Sequence, residues 1–137
     1  MAFAGMNYLA VLIAAIAAFG LGAVYYGVLG KPWMKAARID PAGAEMSPVL
    51  FAISFVSELV MATMVAGVVG HLGPGEVTFV NGVVSAFFLW LGFVATTLTV
   101  NHRYQGFGWD LTVIDGVHWL LVLLVMGAII GAMGVTG

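Results

Sequence analysis

The chain has 137 residues, of which 63% are hydrophobic and 7% charged, with a formal net charge of −2 and no cysteine. A soluble domain carries about a quarter charged residues, so this composition excludes a water-facing surface and assigns the chain to a lipid bilayer. The missing cysteines exclude disulfides and thiolate-ligated metals, and with no basic tract a nucleic-acid partner is not expected.

A helix crosses the bilayer core in about 20 residues, so the length suits about four crossings in a single membrane domain, residues 1–137. The first predicted span, residues 8–30, is free of charge. It lacks the basic start of a signal peptide and exceeds the usual apolar length, so it is read as a span and not as a cleaved leader. Ala14, Ala18 and Gly22 repeat every four residues along it, a spacing that lets helices approach closely.

The stretch "GKPWMKAARIDPAG" follows. Lys31, Lys35 and Arg38 fall on one helical face and Trp33, Met34 and Ala37 on the other, which predicts a short amphipathic interfacial helix in the first loop, with Pro32 in its first turn and Asp40-Pro41 ending it. Ser47-Pro48 reads as an N-cap and first helical residue at the start of the second span, 46–70. Ala62, Ala66 and Gly70 form its small-residue stripe. "HLGPGE" is a turn, with Glu76 expected in the first turn of the third span, 77–100. "NHRYQGFGWD" is the last connection, with Asp110 expected to cap the fourth span, 111–134, and with Tyr104 and Trp109 suited to an interfacial belt. Gly127 and Gly131 give that span a G-x-x-x-G pair. The expected fold is therefore all-α, a four-transmembrane-helix bundle. All four Lys and Arg lie in loops one and three, which places those loops in the cytoplasm and both termini outside.

Polar side chains inside the spans are the candidate functional residues. Glu58 lies about 16 Å into the second span, where a charge is costly. Ser54 is one turn before it. Asp115 and His118 share a face of the fourth span, and Thr96, Thr97 and Asn101 descend the third toward Arg103, which is placed to reach Asp115. Two readings follow. Glu58 is a proton or cation site, with Asp115 and His118 as a relay and Ser54 and Thr96 lining a wet cavity; or these groups form hydrogen bonds that fix helix register. Asp115-x-x-His118 is too short and unspecific a motif for a metal site, the methionines read as packing, and no nucleophile–base pair or phosphate loop appears, so neither a metal, a cofactor nor an enzymatic activity is expected.

The segments "MNYLAVLIAAIAAFGLGAVYYG", "GKPWMKA", "LWLGFV", "VNHRYQG" and "LTVIDGVHWLLVLLVMGAIIGA" together resemble the DUF1761 family of small bacterial membrane proteins, over nearly the whole chain. The family usually has a Trp-Tyr pair where this chain has Tyr25-Tyr26, and Glu58 falls outside its motifs. The resemblance implies a bacterial inner-membrane location and the four-span architecture, adds Asn7 to the candidates, and shifts weight toward Asn7, Asn101 and Asp115. It implies no activity. The leading functional expectation is a structural or accessory protein that forms a homo-oligomer, such as a dimer, in the lipid bilayer or docks on a larger membrane complex. The alternative is a small proton-coupled carrier or channel using Glu58 with Asp115 and His118.

Overall fold

The computed structural model describes residues 5–43 and 47–136. These residues contain the helices α1 (Tyr8–Ala36), α2 (Pro48–Gly70), α3 (Phe79–Leu89), α4 (Thr96–Tyr104) and α5 (Trp109–Met133), a short 3-10 turn at Pro41–Gly43, and no strand. A π-helical segment, Trp90–Ala95, joins α3 and α4 into one continuous third span, Phe79–Tyr104. All four spans are long and apolar enough to cross a membrane. The chain is a multi-pass membrane protein.

The fourth span, α5, is the hub and packs on each of the other three, with its broadest contacts to α3 and α1. Close approach explains this. At the α3–α5 crossing a Cβ added to Gly82 or Gly127 would overlap the other's carbonyl, and one added to Gly131 would overlap the Thr78 carbonyl. Only glycine lets backbones meet this way, and in lipid such van der Waals contact drives helix association. On α1, Ala14 and Ala18 are fully buried and Gly22 lies against His118 of α5. Ala62 and Ala66 of α2 are likewise buried. The small-residue stripes are thus spent inside the bundle, around a centre formed by Met126, Val122, Val65 and Val69.

Helix ends depart from the sequence reading in three places. The amphipathic segment of loop one is not a separate helix: α1 runs through Pro32 to Ala36, roughly 43 Å in all. Pro32 removes only the bond to the Val28 carbonyl, and Trp33 continues the packing by meeting Tyr26 edge-on at 5.5 Å. Second, Glu76 precedes α3, whose N-cap is Thr78; Glu76 instead holds the Asn81 side chain through its Oε2 (2.9 Å) and its carbonyl (2.8 Å). Third, Asp110 is not a cap, since α5 begins at Trp109; its Oδ1 accepts from the Leu111 N–H at 2.9 Å.

α1 and the third span end alike, at the same end of the bundle. Ile39 N–H donates to the Met34 carbonyl and Phe107 N–H to the His102 carbonyl, both at 2.9 Å. This wrap requires one residue in the left-handed region. Gly106 (φ 76°) supplies it after α4, but after α1 the residue is Arg38 (φ 58°). Its strain is offset by its side chain, whose Nη2 donates to the Gly106 carbonyl at 2.6 Å while the guanidinium lies 5.1 Å from the Phe107 ring centre. Loops one and three are thereby tied together. At the opposite end Thr136 N–H donates to the Gly5 carbonyl at 2.9 Å, joining the two terminal segments.

Candidate functional site

Asp115 stands about 9 Å along α5 from Trp109, one face of which also carries Thr112 and Trp119. Three spans converge on it. Tyr26 of α1 donates its hydroxyl to Asp115 Oδ1 at 2.7 Å, and Tyr25 donates to the Ile114 carbonyl at 2.6 Å. From α4, His102 Nε2 lies 4.0 Å from Asp115 Oδ2, too long for a hydrogen bond but close enough for an electrostatic contact. The other ring nitrogen of His102, Nδ1, lies 2.8 Å from Thr112 Oγ1, which also accepts from Arg103 Nη2 at 2.8 Å.

A guanidinium only donates. With Arg103 donating to Thr112, the Thr112 hydroxyl is free to donate to His102 Nδ1, which leaves His102 Nε2–H directed toward Asp115 at 4.0 Å, with Tyr26 donating from the other side. Both arms point at the carboxylate. His102 and Thr112 are buried and Asp115 and Arg103 partly so.

Arg103 does not reach Asp115. Its Nη2 holds the Phe107 carbonyl at 3.1 Å and the Gly108 carbonyl at 3.0 Å, and its guanidinium stacks 3.8 Å from the Trp109 ring centre. His102 takes the place beside the carboxylate that the sequence reading gave to Arg103. His118, about 14 Å along α5, is 5% exposed and sits among the rings of Tyr25, Tyr26 and Trp119, at centroid distances of 5.5, 4.7 and 4.6 Å. Its Nδ1 has no hydrogen-bond partner among the described residues. A Cβ at Gly22 would come 2.9 Å from its Nε2, so the glycine makes room for the imidazole.

The remaining candidates lie outside this cluster. Asn7 is the N-cap of α1 and accepts from the Ala10 N–H at 3.1 Å, at the opposite end of the bundle. Asn101 is exposed. Thr96 and Thr97 are exposed and return their hydroxyls to their own helix, to the Gly92 carbonyl at 2.9 Å and to the Phe93 carbonyl. Each thus bonds back one turn along its own helix, as Thr63 of α2 does to the Leu59 carbonyl at 2.8 Å. Glu58 is 3% exposed, about 15 Å along α2, and its carboxyl makes no hydrogen bond or ion pair to a described residue. Ser54 and Ser57 are exposed and do not pair with it. No group of three or more His, Asp or Glu suited to hold a metal occurs among the described residues.

A half-open cavity of about 500 Å³ lies at the end of the bundle near the termini, lined by Asn7, Ala66, His71, Pro74, Ile130 and Val135 among others. It does not reach Asp115. A groove of about 230 Å³ lies between the third and fourth spans, with Trp90, Thr112 and Gly116 in its wall.

The sequence reading missed Tyr26 and His102 as neighbours of Asp115, and Thr112 as the group that joins His102 to Arg103. Thr112 carried a signal, standing three residues before Asp115 on the same helical face. The pairing with Tyr26 spans 89 residues and has no local signature.

Four apolar spans bound by an α5 hub, with an intramembrane carboxylate held from two sides, define a helical membrane protein of compact bundle type. The family model DUF1761, a protein of unknown function, matches residues 9–131, and the chain belongs to that family. No curated protein and no solved structure gives a significant match.

Proposed function

We propose that the protein is a non-catalytic membrane building block that acts by associating with a second copy of itself. The observation that carries this reading is the first half of α2. From Pro48 to Ser57 every residue except Phe55 is exposed, and this half touches the bundle mainly where Phe51 and Phe55 meet Phe19 edge-on at 6.2 and 5.8 Å. Burial begins at Glu58. The open half carries the hydroxyls of Ser54 and Ser57 at hydrocarbon depth, and such hydroxyls favour a helix partner over lipid.

The Asp115 cluster fits this role better than it fits transport. A proton path needs groups that both give and take a proton. Here the groups do not connect: His102 Nε2 stands 4.0 Å from the Asp115 carboxylate, and neither His118 Nδ1 nor the Glu58 carboxyl has a hydrogen-bond partner among the described residues. Such a cluster clamps three spans in one arrangement and presents a rigid surface. In the same reading loops one and three, with all four Lys and Arg, face the cytoplasm of a bacterial inner membrane, and the termini face out.

The test exploits the missing cysteines. In a two-fold dimer, equivalent residues near the axis meet. Ser54→Cys and Ser57→Cys introduced singly are expected to give disulfide-linked dimers in native membranes on mild oxidation, while Val24→Cys on α1 is not. Absence of dimers at every position from Leu50 to Ser57 would overturn the proposal.

A further inference from the structure

Ser54, Ser57 and Glu58 stand within little more than one turn of α2 at hydrocarbon depth, and none of the three makes a hydrogen bond to a described residue. Threonines elsewhere in the spans are satisfied inside their own helix. Thr63 donates to the Leu59 carbonyl at 2.8 Å, Thr96 to the Gly92 carbonyl at 2.9 Å and Thr99 to the Ala95 carbonyl at 2.7 Å. Hydrocarbon offers no partner to the polar groups of α2.

Glu58 is almost wholly covered, yet its carboxyl oxygens are not sealed in. Among the described residues, the side-chain polar atoms that are fully enclosed without a partner are Arg103 Nε and Nη1 and His118 Nδ1. The small open part of Glu58 therefore includes its oxygens. They emerge where α2 leaves the bundle: Ala62 and Val65 beyond Glu58 are buried, and Val56 and Ser57 before it are exposed.

A helical side chain leans toward the N-terminus of its helix, so the Glu58 carboxyl lies over the preceding turn, at the level of Ser54. Ser54, four residues earlier, is on the same side of α2. The two groups are complementary, because a serine hydroxyl donates and a carboxyl oxygen accepts in either protonation state. A helix face that carries an unmet donor and an unmet acceptor one turn apart is matched by its own copy. Parallel α2 helices related by a two-fold axis along the membrane normal bring each Glu58 within reach of Ser54 on the other chain, and the contact is made twice.

We infer that Glu58 of each copy accepts a hydrogen bond from Ser54 of the other, so that this carboxyl fixes the register and orientation of the pair. This rests on the reading of α2 as the surface of self-association and names the polar contact that makes it specific. An interfacial polar group of this kind specifies one alignment, which apolar packing alone does not.

The test measures association in a bilayer. The full chain carrying Gln105→Cys, at an exposed loop position, is labelled with donor or acceptor dye and placed in phosphatidylcholine vesicles. Energy transfer against the protein-to-lipid ratio gives the association constant. Glu58→Leu and Ser54→Ala are each expected to weaken association about tenfold, through loss of the paired interhelical bonds. The double variant is expected to be no weaker than either single one. Glu58→Gln, whose amide oxygen still accepts, is expected to stay within about twofold of the wild type. Ser54 is exposed, so Ser54→Ala reads the bond whether or not Glu58→Leu folds. If the wild type associates and neither change weakens it, or the two losses multiply in the double variant, the Glu58–Ser54 bond is overturned while self-association stands. A wild type that stays monomeric at every ratio overturns the bond and the self-association reading together.

Discussion

Tyr26 on the first span and Asp115 on the fourth share a 2.7 Å hydrogen bond across 89 residues of chain, and this bond is one arm of the clamp that joins three spans. Interhelical hydrogen bonds in membranes contribute about 0.5–2 kcal/mol, because the separated helices also find partners. Tyr26→Phe is therefore expected to lower unfolding free energy by about that amount. Asp115→Asn keeps an acceptor for Tyr26 and should cost less than Asp115→Ala. A Tyr26→Phe, Asp115→Ala pair should be clearly less damaging than the sum of the single changes, as read by denaturant titration in mixed micelles. Simple additivity would show that the two residues do not act together.

Thr112 is the joint of the other arm. It holds both His102 and Arg103 at 2.8 Å. Thr112→Val keeps the shape but removes the hydroxyl, leaving the buried His102 Nδ1 without its partner, at about 1–3 kcal/mol. Thr112→Ser restores the hydroxyl and should recover most of the loss. If valine and serine behave alike in thermal unfolding, the hydroxyl is not the joint.

The glycines divide into those that touch and those that do not. Gly82→Ala, Gly127→Ala and Gly131→Ala place a methyl into opposing backbone and are expected to be the most damaging single-methyl changes among the described glycines, because neither helix can yield without separating. Gly22→Ala comes 2.9 Å from the His118 ring and should cost about 1–3 kcal/mol by overpacking. Gly20→Ala and Gly27→Ala meet nothing within 4 Å and should be neutral or stabilising by up to about 1 kcal/mol. Detergent-phase melting temperatures in the order Gly27→Ala, Gly22→Ala, Gly82→Ala, from highest to lowest, would bear this out; a different order would mean that the helices cross elsewhere.

The four spans were legible because each is a long apolar run and bilayer thickness fixes how much helix is needed. Their ends were less so. Pro32 reads as the start of a helix, but its cost inside α1 is one backbone bond, and the Trp33–Tyr26 contact extends the packed surface past it. The candidate site was half legible. Asp115 and His118 stand out as polar groups in apolar sequence, and the spans bring both into the interior. Thr96 and Thr97 stand out equally, yet both face away from the bundle and their hydroxyls are absorbed by carbonyls one turn back in their own helix. Arg103 was matched with the wrong partner for a related reason: its own loop turns back at Gly106 and offers the Phe107 and Gly108 carbonyls nearer than the carboxylate.

Glu58 gives the sharpest stability test, because the residue is only 3% exposed and its carboxyl makes no hydrogen bond or ion pair to a described residue. Ala62 and Val65, one and two turns on, are buried on the same side of α2. A polar group taken out of water without a partner costs about 1–3 kcal/mol, so Glu58→Leu, which extends that apolar face, is expected to raise stability by about that amount. Glu58→Gln leaves an equally unpaired amide and should change little. Glu58 lies at the boundary between the packed and open halves of α2, beside the surface that the proposed second copy would cover. In the single-cysteine background, Glu58→Leu should then reduce cross-linking at Ser54→Cys while raising the melting temperature. A loss of stability in Glu58→Leu would show instead that the carboxyl has a partner holding the bundle together, and its role in association would fall.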